Sequence, residues 1–212
     1  MNILKLVFIL LKYFISRTRR YVNLFLLIIK YKPKSILEVG VYRGIRSHEM
    51  ISVAKIFNKN LFFYGFDLFK KLTKKRKNYE LSKFPLSQNE INLKLSKLSN
   101  NTNLFSGNTK KTLKKFSKKK TKVDFIFIDG GHHINTIMND WKYCLKISNK
   151  KTIFIFDDYY TNNISLIKKY GCNKLISSLN KKRFRIKILP FTDFFKIKKR
   201  YTGIKMVLIK KI

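Results

Sequence analysis

The stretch Ile36-Leu37-Glu38-Val39-Gly40-Val41-Tyr42-Arg43-Gly44 decides the fold. A short apolar run ends in an acid, and two glycines follow in quick succession. This pattern reads as a strand entering a turn that opens a helix, where glycine lets a ligand approach the backbone. Outward from it the chain alternates apolar runs with helix-like stretches, as a mainly parallel sheet covered by helices requires. Strands are predicted at 35–39, 61–66, 104–106, 123–128 and 152–156, with closing strands at 184–189 and 204–209. Helices are predicted over 47–57, around Ile91 to Leu98, and over 109–118, 135–147 and 164–179. Residues 68–85, rich in Lys, read as a long exposed loop. The expected fold class is α/β: a Rossmann-like, seven-stranded, mostly parallel sheet with helices on both faces and an antiparallel last strand.

The chain has 212 residues, of which 45% are apolar, enough for one folded domain with a sizeable core. It carries 48 Lys and Arg against 11 Asp and Glu, a formal net charge of +37. A single alanine, Ala54, together with abundant Lys, Asn, Ile and Phe points to an AT-rich coding bias, but Glu also has AT-rich codons and its scarcity needs another cause. Such a charge draws polyanions, nucleic acid or anionic lipid, without specifying chemistry. Cys144 and Cys172 are too few for a disulfide framework and lack metal-ligand spacing, which implies a reducing, cytoplasmic setting.

Residues 1–32 divide from a main domain over 33–212. The runs from Ile3 to Ile15 and from Tyr21 to Ile29 fall short of the roughly 20 apolar residues of a spanning helix, and no signal-peptidase site follows the first. Two helices packed on the sheet are the simpler expectation. The sharper one is peripheral contact with an anionic membrane surface, since these 32 residues hold seven Lys or Arg and no acid.

With so few acids, their placement is informative. Glu38, Asp67, Asp129, Asp157 and Asp158 all fall at predicted carboxyl ends of strands, the edge beyond which open parallel sheets bind ligands. Asp67 can accept hydrogen bonds from both hydroxyls of a ribose. A dinucleotide turn would need a middle glycine where Tyr42 stands, so a nucleoside ligand without a pyrophosphate is favoured. The segments FIFIDGGHH and FIFDDYY bring Asp129, Asp157 and Asp158 to neighbouring strand ends, where three carboxylates repel unless a cation joins them; oxygen ligands suit Mg²⁺ or Ca²⁺. Ordinary structural roles compete at each position: turn glycines, Asp and His as helix caps, Asp pairs in turns.

In these motifs the sequence resembles class I S-adenosylmethionine-dependent methyltransferases. The resemblance implies that Glu38, Gly40 and Gly44 hold the methionine part of S-adenosylmethionine and Asp67 its ribose. It also implies that Gly107, Asn108 and Thr109, in FSGNTKKTL, lie near its adenine. The strand-four and strand-five segments are most similar to the macrocin O-methyltransferase group, the methyltransferase-24 type. That likeness implies Mg²⁺ bound by Asp129, Asp157 and Asp158, with Asp129 also beside the cofactor and His132 as general base. His133 follows directly, so either ring remains open for that role. The implied reaction is methylation of a hydroxyl on a sugar, glycan or related small molecule. The competing expectations are an RNA methyltransferase and a non-catalytic basic binding protein of the same fold. The base-methylating [DN]-P-P-[FY] signature is missing where IDGGHH stands, so nucleic acid is the less favoured partner. Nothing in the sequence indicates an oligomeric state.

Overall fold

The computed structural model describes residues 3–197 and 200–212, so residues 1–2 of the predicted N-terminal segment lie outside the described part. The strand ahead of the glycine turn forms as predicted, β1 (Ser35–Val39). Its side chains point alternately to two faces, Ile36 into one apolar cluster and Leu37 and Val39 into the other. On β4 (Phe125–Ile128), Phe125 and Phe127 join the first cluster and Ile126 and Ile128 the second. Strands covered on both faces read as unbroken apolar runs, which is how the sequence shows them.

β2 (Phe62–Asp67), β3 (Thr102–Ser106) and β5 (Ile153–Tyr160) complete the parallel part of the sheet. The strand order is β3-β2-β1-β4-β5, then β8 (Arg200–Lys211) and β6 (Phe184–Ile188), with β8 antiparallel to both its neighbours. The order reverses between β1 and β4, where such sheets open a crevice at their carboxyl edge.

The first cluster is covered by α1 (Ile3–Phe14), α2 (Arg20–Tyr31), α3 (Ile45–Lys55) and α5 (Gln88–Ser96). The second is covered by α6 (Thr109–Phe116), α7 (Ile134–Lys146) and α9 (Asn173–Ser178). α2 is wedged deeply, with Leu24, Phe25 and Ile28 fully buried. No helix among the described residues is long and apolar enough to cross a membrane.

Four features differ from the sequence reading. An eighth strand, β7 (Asp193–Ile197), pairs with the start of β8 from Arg200 to Ile204, so the last strand begins earlier than predicted. The 68–85 stretch is not all loop: it holds a 3-10 turn at Phe69–Lys71 and α4 (Lys74–Glu80), capped by the Thr73 hydroxyl, which accepts from the Arg76 N–H. One helical turn pair held by polar contacts leaves no apolar period to detect. The predicted 164–179 helix is two, α8 (Ile164–Ile167) and α9, interrupted at Gly171, whose φ of 82° a continuing helix cannot use. Finally, β5 runs on to Tyr160, so Asp157 and Asp158 sit within the strand and not beyond it.

Candidate active site

Beyond the carboxyl edge lies a cavity of about 660 Å³, a size suited to a nucleoside-bearing ligand. Glu38, Gly40, Asp67, Gly107, Asn108, Thr109, Asp129, His132 and Asp158 all line it. Two predicted site residues do not. Gly44 begins α3, where a Cβ would stand 3.0 Å from the Ile91 side chain, so its role here is helix entry and packing. Asp157 faces elsewhere, for a reason that decides the charge balance of the site.

The glycine turn is built by close approach. A Cβ on Gly40 (φ 95°) would fall 2.0 Å from the Asp129 carbonyl oxygen, and the Gly40 N–H donates to the Phe66 carbonyl at 2.8 Å. The turn is tied to β2 by the Tyr42 N–H, which donates to Asp67 Oδ2 at 2.7 Å. Asp67 Oδ1 accepts from the Phe69 N–H at 3.2 Å. Beneath the turn Glu38 is 1% exposed and accepts from the Ser47 hydroxyl; burial, against the help of that hydrogen bond, pushes its carboxyl up to about 8. On the far wall Asn108 caps α6 through its side chain. Behind Thr109, Asp140 of α7 is buried and pushed up to about 7 by that burial, against hydrogen bonds from Thr109 and Asn139.

The two aspartates of β5 diverge because the strand is bulged. Phe156 pairs with Val207 and Tyr159 with Lys205, so Asp157 and Asp158 together oppose one residue of β8. Bulges of this kind redirect side chains, and Asp158 takes a left-handed φ of 59°. Asp157 turns to Arg20 at the start of α2, which donates from Nε to Oδ1 and from Nη2 to Oδ2, each at 2.7 Å. The same guanidinium donates to Asp193 of β7, and all three side chains are less than 10% exposed. Asp157 Oδ1 also accepts from the Asp158 N–H, and Oδ2 from the Tyr21 hydroxyl at 3.3 Å. Both oxygens of Asp157 are therefore engaged, which corrects the expectation that it joins a metal triad.

Asp158 turns instead to His132, with Oδ2 3.0 Å from Nε2. The groups that converge are Asp129, His132 and Asp158, each offering an atom within 4.8 Å of the others. His132 Nδ1 lies 2.8 Å from the Glu80 carbonyl oxygen. A carbonyl only accepts, so Nδ1 carries the hydrogen and Nε2 presents its lone pair to Asp158. Two acceptors 3.0 Å apart need a positive species between them, a proton or a metal ion. Asp129, half-buried, is held well above the usual carboxylate range by loss of solvent around it and by the nearby Asp157 and Asp158 carboxylates. The donor set of two carboxylates and one imidazole thus fits a divalent cation. His133, by contrast, caps α7 by accepting from the Asn135 N–H and stacks on Tyr79 at 4.3 Å between ring centroids. Of the two rings, only that of His132 faces the cavity.

Sequence reasoning missed the residues that hold this cluster. Glu80 accepts from Arg76, from the Thr136 hydroxyl and from the His133 N–H, anchoring the Gly130–Gly131 loop while its carbonyl orients His132. A lone acid four residues after Arg76 in a basic run was the available signal. Gly171 donates to the His132 carbonyl at 2.8 Å and Cys172 to that of Asp158 at 3.1 Å. Arg20 and Tyr21 had no local signal, since their partners lie more than a hundred residues away.

A family model described as a methyltransferase domain, the methyltransferase-24 type, matches residues 37–159. The chain belongs to this family. It is an S-adenosylmethionine-dependent methyltransferase, and the matched span covers every nominated cavity residue. No curated protein matches this methyltransferase in sequence. Its fold is shared by the O-methyltransferase TomG of Streptomyces achromogenes, crystallised with S-adenosylmethionine (12% identity, TM-score 0.60, 89% of this chain and 78% of that one). It is also shared by a Bacillus cereus O-methyltransferase in complex with S-adenosylhomocysteine (18%, TM-score 0.60, 92% and 82%). An rRNA methylase from Streptococcus thermophilus shares it as well (10%, TM-score 0.54, 84% and 86%).

Proposed function

We propose that this methyltransferase transfers the methyl group to a hydroxyl oxygen of a sugar, glycan or related small molecule, with Asp129, His132 and Asp158 as the reacting cluster. The observation that carries the reading is the 3.0 Å approach of His132 Nε2 to Asp158 Oδ2, with Nδ1 already committed to a carbonyl. On this reading Asp67 accepts from the ribose hydroxyls, Glu38 and the Gly40 turn hold the methionine end, and Gly107, Asn108 and Thr109 flank the adenine. The sulfonium methyl is already activated, so the protein's task is to align the acceptor oxygen and manage its proton.

Asp129, Asp158 and His132 would hold a divalent cation such as Mg²⁺; when bound, it would supply a Lewis acid that orients the acceptor oxygens and favours the alkoxide, the hydroxyl proton passing to solvent. The commitment of Asp157 to Arg20 supports a second, metal-free version. In it, the cluster enters the reaction without a proton between His132 and Asp158. The acceptor hydroxyl inserts beside Nε2, which takes its proton as the oxygen attacks the methyl group, and the Asp158 carboxylate steadies the imidazolium so formed. The two versions separate cleanly, because Nε2 cannot ligate a cation and accept a proton at once.

The test is turnover with labelled S-adenosylmethionine on a panel of glycans and nucleotide sugars, with added Mg²⁺ and with chelator. His132→Gln and Asp158→Asn should each lose at least a hundredfold in turnover while binding of the methyl donor, measured by calorimetry, changes less than threefold. Full activity of both variants would end the proposal. Unimpaired wild-type turnover in chelator would select the metal-free version. Methyl incorporation into RNA but no other acceptor would return the RNA reading.

A further inference from the structure

α1 is apolar on two sides. Ile9 and Tyr13 are buried against the core, with Leu6 and Leu10 packed beside them. Ile3, Leu4, Val7, Phe8, Leu11 and Phe14, continued by Ile15, are between 46% and 79% exposed. At about 100° per residue these outward side chains fill one continuous arc of roughly 140°. Lys5 and Lys12 lie just beyond one margin of that arc, and Arg17 and Arg19 follow in the turn; all four are exposed. A contiguous apolar strip of this size on a soluble surface marks a site of contact.

We infer that α1 is an in-plane anchor that seats the enzyme on a lipid bilayer rich in anionic headgroups. Charge selects this occupant. A second copy meeting α1 face to face would bring the same four cations together, with no acid in residues 1–32 to pair them and a net charge of +37 on each chain. Glu49, the carboxylate that bonds to α1 among the described residues, already serves Lys12, Tyr13 and Arg46. Anionic headgroups supply the missing counter-charge while the acyl boundary takes the apolar arc. Twelve residues of helix give about 18 Å, too short to span a bilayer but ample to lie along its surface. The inference goes beyond the proposed reaction and uses none of its steps.

The experiment is flotation of the full chain with vesicles of pure phosphatidylcholine and of phosphatidylcholine with 30 mol% (about one third) phosphatidylglycerol. Binding should be confined to the anionic vesicles. A Lys5→Gln, Arg17→Gln, Arg19→Gln variant should lose on the order of a hundredfold, about fivefold per cation. Because so basic a protein adheres electrostatically through any face, insertion needs its own readout. The tryptophan introduced by Phe8→Trp should shift its emission to the blue and be quenched by lipids brominated along the acyl chain. Phe8→Glu with Leu11→Glu, both at exposed positions, should unfold at the wild-type temperature yet lose binding at least tenfold. Unquenched emission from the introduced tryptophan on bound protein would overturn the inference. So would a wild-type dimer in sedimentation that the double Glu substitution dissociates while vesicle binding stays unchanged.

Discussion

Arg20 is the place where stability and site geometry meet, and replacing it has a calculable cost. Arg20→Met preserves side-chain length but removes the cation from two carboxylates that are at most 1% exposed. A buried pair is worth little against an apolar substitute, whereas removing one partner strands the other charge and costs about 3–5 kcal/mol. Here one guanidinium serves two acids, so the upper part of that range is expected. For a domain of this size each kcal/mol lowers Tm by about 2–4 °C, so the upper part of that range, about 4–5 kcal/mol, gives a drop of roughly 8–20 °C by circular dichroism. Adding Asp157→Asn and Asp193→Asn to Arg20→Met should restore more than half of the loss, because no uncompensated charge remains. Lys12→Gln is the internal control: its partner Glu49 is buried, but Lys12 itself is 48% exposed, so about 0–1 kcal/mol is expected. If Arg20→Met costs no more than this control, or the triple variant is as unstable as the single one, the charge argument is refuted.

Other expectations follow from the same geometry. Asp67→Ala should weaken S-adenosylmethionine binding at least tenfold by calorimetry, since it removes both the ribose acceptor and the tie to the Tyr42 N–H; unchanged affinity would remove Asp67 from the binding site. Glu38 titrates near 8 in the folded chain, above its unfolded value of 4.5. Its stabilising share is therefore complete below pH 4.5 and fades as pH rises toward 8, at most about 5 kcal/mol in all. Urea denaturation should accordingly find Glu38→Gln gaining on wild type between pH 6 and pH 9, and a pH-independent difference would contradict the burial of an ionisable carboxyl there. Gly40→Ala must displace the Asp129 carbonyl, so it should lose donor binding and lower Tm together, and a variant that keeps wild-type affinity would be incompatible with the close approach seen.

The sheet was legible because its central strands β1, β4 and β5 are buried on both faces, a signal that survives a basic composition. The cavity was legible because acids are scarce, so Glu38, Asp67 and Asp129 stood out at strand ends. What stayed hidden depends on separations that no local window contains: Arg20 meets Asp157 and Asp193 across 137 and 173 residues. The direction of Asp157 was hidden for another reason. Sequence alternation assumes an even pleat, and the β5 bulge breaks it at that position. Glu80 lay in a Lys-rich stretch whose helix makes its contacts through polar groups, leaving composition to suggest a loop.

That bulge makes the arrangement of charge at this site a matter of counting residues as well as choosing them. Without the surplus residue, the strand from Asp157 onward would step by one position and every later side chain would change sides. Tyr160, now 3% exposed against Leu166 and Ile204, would leave its cluster, and the imidazole and the guanidinium could not each claim a different neighbouring acid. Grafting the two aspartates onto an unbulged strand of a related protein would therefore copy the letters and lose the device. Any transplant of this chemistry has to carry the extra residue and the β8 segment that accommodates it.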